Sequence, residues 1–61
     1  MTQQAFQESL AQELHRRGVP FENLVLETFV RGVWSQAQQD PNPDRWAGEF
    51  TAWRQQGQGA G

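Results

Sequence analysis

An all-α fold, a small three-helix domain, is predicted by three observations. Apolar residues recur at helical spacing in three separate segments of the 61-residue chain. Gly18-Val19-Pro20 and Asp40-Pro41-Asn42-Pro43-Asp44 interrupt that pattern between the segments. Residues suited to helix ends stand at the right places, Thr2 and Asn42 before a helix and Gly18 after one. The expected arrangement is a helical hairpin with a third helix packed across it.

The first helix is expected over residues 2–17. Phe6, Leu10 and Leu14 recur at i, i+4 and i+8, with Ala5 and Ala11 beside them and Gln and Glu over most of the remaining surface. Thr2 is the expected N-cap. Arg16 and Arg17 lie in the last turn, where cations complement the helix dipole. Gly18 suits the left-handed position after the helix, and Val19 can close a Schellman-type contact.

The second helix is expected to open at Pro20, whose missing N–H costs nothing in the first turn, and to run to about Gln39. Successive residues turn by about 100°. On that wheel Phe21, Val25, Leu26, Phe29, Val30, Val33 and Ala37 cover about half the circumference, with Leu24 and Trp34 flanking the arc. Glu27, Arg31 and Ser35 form a narrow polar strip. A helix apolar over so much of its surface is expected at the centre of a fold, or against a partner.

The third helix is expected over residues 43–56. Asn42 serves as N-cap, Pro43 as first helical residue and Asp44 as the acid of the first turn. Trp46, Phe50 and Trp53 fall at i, i+4 and i+7 on one face, with Ala47 adjoining, and Arg45 and Glu49 are spaced for an exposed ion pair. The domain is thus placed at residues 1–56, and Gly57-Gln58-Gly59-Ala60-Gly61 reads as a flexible tail.

Size and composition narrow the functional classes. A chain this short buries only about 60% of its unfolded surface and needs good packing, a metal, a disulfide or a partner. It has no cysteine, and a single His with carboxylates makes a poor structural zinc site. The N-terminus lacks a basic and apolar leader, and its longest apolar run, Leu24-Val25-Leu26, is far below the roughly 18 residues of a membrane span. A cytoplasmic protein with no membrane association is expected.

Catalysis is not expected. Cys, Lys and Tyr are absent, and Gly18 and Gly32 are isolated rather than part of a phosphate loop. His15, on the polar side of the first helix, has nothing in the sequence to pair it with Ser9 or Ser35. The pairs Glu8 and Glu13, and Glu22 and Glu27, are not at metal-ligand spacing. No catalytic residue, metal ligand, cofactor or small-molecule substrate is therefore assigned.

A protein–protein interaction module is the function expected: a regulator, inhibitor or assembly factor that self-associates or binds another protein. Five of the seven aromatics lie between Phe29 and Trp53, more than so short a chain is expected to bury alone. The expected contact residues are Leu24, Phe29, Val30, Val33, Trp34, Trp46 and Trp53, with Glu27, Arg31, Arg45 and Glu49 as a polar rim. In an antiparallel two-fold pairing, Glu27 and Arg31 could face Arg31 and Glu27 of a second copy. The competing class is a helix-turn-helix DNA-binding regulator built on the Arg17-Gly18-Val19-Pro20 turn. Against it stand a net charge of −2 and a would-be recognition helix that begins Phe21-Glu22-Asn23-Leu24-Val25, without Arg until Arg31.

Overall fold

Thr2 starts the first helix as its sequence demands: its Oγ1 accepts the Ala5 N–H at 3.1 Å, satisfying one of the orphan donors of the first turn. The computed structural model describes residues 1–56; the expected tail at 57–61 lies outside the described residues. Helix α1 spans Gln3–Arg16, and its Phe6, Leu10 and Leu14 are fully buried. It ends in a Schellman motif. Gly18 adopts φ 72°, its N–H donates to the His15 carbonyl oxygen at 3.0 Å, and the Val19 N–H donates to that of Leu14 at 2.9 Å.

Helix α2 spans Asn23–Ala37, so the expected start at Pro20 is corrected by three residues. Glu22 is the extended N-cap and makes no side-chain capping bond. Tertiary contacts override the preference of Pro20 for a first turn. From the segment before α2, half-buried Phe21 packs against the His15 ring at 5.1 Å and edge-on against Phe50 at 6.4 Å. The Pro20 carbonyl oxygen accepts a hydrogen bond from Arg54 Nη1. At the other end Ala37 is the last helical residue, two short of the expected Gln39.

Helix α3 spans Pro43–Gln55 with the expected chemistry at its start. The Asn42 side chain accepts the Asp44 N–H at 3.1 Å, and Pro43 occupies the first turn. Trp46 and Phe50 are buried and Trp53 half-buried, so the aromatic face of α3 turns inward. The indole Nε1–H of buried Trp46 donates to the Asp40 carbonyl oxygen at 2.7 Å, which fastens the proline-rich linker onto the helix it precedes.

The helix backbone that packs closely against both others is α1, not the expected α2. Between α2 and α3 the backbones approach at few points, and rings fill the space. Phe29 meets Phe50 and Trp53 with centroids at 5.2 Å in each case, and Trp46 at 6.4 Å. Small residues allow close backbone approach, whereas Phe and Trp hold helices apart, and the apolar breadth of α2 is consumed by that spacing.

A charged chain ties α1 to α3. Glu13, buried beside the apolar stripe, accepts from Arg16 at 2.6 Å and Arg17 at 2.8 Å. Arg17 also pairs with the Asp44 carboxylate and donates to the Asp44 carbonyl oxygen at 3.1 Å. The hydrogen bond from Arg17, followed by that from Arg16, holds the Glu13 carboxyl below its ordinary value of 4.5.

Three outcomes follow from this packing. Phe50, fully buried among Phe21, Phe29 and Trp53, is central. Phe50→Ala should cost about 3–5 kcal/mol, as much as the whole stability of a chain this small, and abolish the cooperative thermal transition in circular dichroism. Because Glu13 has a lowered folded pKa, its stabilisation is complete above pH 4.5 and is lost as pH falls through the folded value. Glu13→Gln should therefore lower the melting temperature at neutral pH, with the gap to the parent closing in acid. A Cβ added at Gly32 or Gly48 meets open space. Gly32→Ala and Gly48→Ala should each raise stability by about 0.5–1 kcal/mol in denaturant titrations.

Candidate functional site

Where the rings hold α2 and α3 apart, a groove of about 260 Å³ opens between the two helices. Phe29, Val33 and Gln36 line it from α2, and Trp46, Glu49, Ala52 and Trp53 line it from α3, with Gln56 at its end. The helical wheel explains the set: Phe29, Val33 and Gln36 descend one side of α2, as Trp46, Glu49, Trp53 and Gln56 do on α3. Phe29 and Trp46 are buried and form the floor. Val33 and Trp53 are half-buried and form the sides, while Gln36, Glu49, Ala52 and Gln56 are exposed.

Five of the eleven residues expected at a contact surface or its rim are thus brought together: Phe29, Val33, Trp46, Glu49 and Trp53. The others are dispersed. Val30 is fully buried in the core, away from any surface. Burial of 95% or more likewise turns most of Phe29 and Trp46 into core, with exposures of 5% and 3%. These three were expected as contact residues on apolarity alone. All three belong to the hydrophobic core, where Trp46 meets Phe6 of α1 and Phe29 of α2 edge-on at 6.4 Å in each case.

Trp34 is half-buried on the α1 side of α2, its ring 5.6 Å from that of Phe6. Leu24 is 75% exposed and stands apart from the apolar face, in the first turn of α2. Glu27 and Arg31 pair with each other at 2.9 Å within α2 and border a polar cleft of about 470 Å³ against Gln3, Gln4, Gln7 and Glu8 of α1. That cleft is larger than the α2–α3 groove. Its walls are amide and charged side chains, so most of its open surface is polar, whereas aromatic rings line the α2–α3 groove.

Arg45 does not take the expected partner. Its guanidinium pairs with Asp40 at 2.9 Å rather than with Glu49, and lies over the Trp46 ring at 4.8 Å. The linker acid competes successfully because Trp46 draws the Asp40 backbone down onto α3. Glu49 is left without an ion-pair partner among the described residues.

Sequence reasoning missed the Glu13–Arg17–Asp44 chain. A signal was present: Glu13 falls three residues after Leu10 and seven after Phe6, on the apolar stripe, with Arg16 and Arg17 one turn later. Asp44 could not be joined to it from sequence, since 27 residues separate it from Arg17. Among the described residues no group of three or more His, Asp or Glu side chains is placed to hold a metal ion. No described helix is long and apolar enough to cross a membrane. No protein-family model matches the chain, and neither a curated protein nor a solved structure is significantly similar to it.

Proposed function

We propose that this chain is a small non-enzymatic interaction module that binds a protein partner through the α2–α3 groove. One observation carries the proposal: Trp53 and Val33, both half-exposed, flank a concave aromatic floor of Phe29 and Trp46. Aromatic side chains in a concavity are the residue type that dominates binding energy at interfaces. Gln36, Glu49 and Gln56 supply the surrounding polar rim from which specificity arises. An apolar ridge on a partner, such as one face of an amphipathic helix, fits a trough between two helices.

Self-association becomes a narrower claim than composition alone suggested. Phe29, Val30 and Trp46 are satisfied inside one copy, so the surplus of apolar surface that argued for a dimer is smaller than the aromatic count implies. Regulation, inhibition and assembly remain roles that such a module can fill.

Site-directed photocrosslinking in living cells tests this function. A photoreactive phenylalanine at Gln36, exposed at the groove edge, should yield a protein adduct of defined mass, and the same group at Gln12, exposed on α1, should not. An adduct of twice the chain mass would identify a second copy as the partner. Identical adducts from both positions, or none from Gln36, would sink the groove as the functional surface.

A further inference from the structure

Every arginine of the protein already has an acceptor. Arg16 and Arg17 hold Glu13, Arg17 also holds Asp44, Arg31 pairs with Glu27, Arg45 with Asp40, and Arg54 donates to the Pro20 carbonyl oxygen. The acids are not all matched. Glu8, Glu22 and Glu49 have no ion-pair partner among the described residues, and with Arg54, whose acceptor is a neutral carbonyl, they account for the net charge of −2. Glu8 borders the polar α1–α2 cleft, where it accepts from Gln4 at 3.4 Å, and Glu22 caps α2 in solvent. Only Glu49 stands beside an apolar groove.

Ring faces add to that local field. The negative face of an indole or phenyl ring attracts cations, and the protein uses this twice, with Arg45 over Trp46 and Arg54 over Phe50 at 5.7 Å. Trp53, at the groove side next to Glu49, has no such cation among the described residues. An unmatched carboxylate beside a half-exposed indole with no cation of its own defines a complementary ligand.

We propose that the α2–α3 groove takes a cationic amphipathic segment of a different protein. An aliphatic side chain sits between Val33 and Trp53, and a Lys or Arg beside it meets Glu49. The proposal rests on the groove being the docking surface and adds the chemistry of what docks. A second copy of this chain fits less well, because two chains of net charge −2 repel rather than complement each other. Two grooves facing each other across a two-fold axis would also bring like-charged Glu49 residues into one interface.

The test uses the full chain and two labelled peptides with identical leucine spacing at i, i+3, i+4 and i+7, one with lysine at the polar positions and one with glutamate. Fluorescence anisotropy should detect binding of the Leu/Lys peptide and not of the Leu/Glu peptide. Glu49→Gln should weaken the Leu/Lys complex by about fivefold, whereas Glu22→Gln, an equal charge change away from the groove, should leave it within about twofold. Ala52→Arg, which fills the groove edge and supplies Glu49 with a partner one turn away, should abolish binding while circular dichroism keeps the parental helicity.

Equal binding of both peptides, lost in Ala52→Arg, would overturn the cationic assignment and leave the groove as a docking surface. Equal weakening by Glu22→Gln and Glu49→Gln would reduce the effect to net charge and overturn it too, as would failure of the Leu/Lys peptide to bind. A parent dimer that Ala52→Arg converts to monomer in sedimentation would assign the groove to a second copy instead.

Discussion

Phe29 touches Phe50, Trp53 and Trp46, and those contacts are what join α2 directly to α3, alongside their shared packing on α1. The two helices share few close backbone approaches, so their association depends on ring packing. Large rings serve a short chain well in this role. Each buries much surface for little lost side-chain freedom, and edge-to-face geometry adds orientation to mere apolarity. The same rings force the helices apart, and the trough follows from that separation. Core and candidate site are therefore one construction.

Around this aromatic centre, short-range devices fix the chain's path. The Schellman motif at Gly18 sets the exit from α1, and the Asn42–Pro43 start sets the entry to α3. Longer-range ties then close the ends: Arg17 reaches the first turn of α3, and Arg54 in its last turn reaches back to Pro20. Exposed ion pairs are individually weak, and their value here lies in angle and register more than in strength. Glu13 differs, being buried on the apolar stripe and held by two guanidinium groups.

The fold class and three helices were legible because their signals are local. Periodicity marked each helix, and Thr2, Gly18, Asn42 and Pro43 marked boundaries that the structure keeps to within a residue or two. Pro20 misleads because its helical preference is also local, while the contacts that hold residues 20 and 21 outside the helix come from Phe50 and Arg54 on a helix more than 25 residues away. Apolarity likewise flagged the right residues for the trough but could not sort them by depth. Phe29, Val33 and Trp53 carry the same signature in sequence. Only the distance between α2 and α3 decides that Phe29 is floor and the other two are sides. The spacing of Arg45 and Glu49 suits an exposed pair, but Asp40, brought close by the Trp46 anchor on the linker, takes Arg45 instead.

The trough's floor and the hydrophobic core being one set of side chains has an evolutionary consequence. Substitution of Phe29 or Trp46 to suit a new ligand would loosen the fold in the same step, so neither position has much freedom to drift. Latitude is confined to Gln36, Glu49, Ala52 and Gln56, which border the trough from solvent and support nothing beneath them. Under the proposed docking role, diversification would leave the aromatic floor constant and rewrite the charge and shape of the border. Relatives with different partners should thus differ in these four positions while remaining superimposable in their helices.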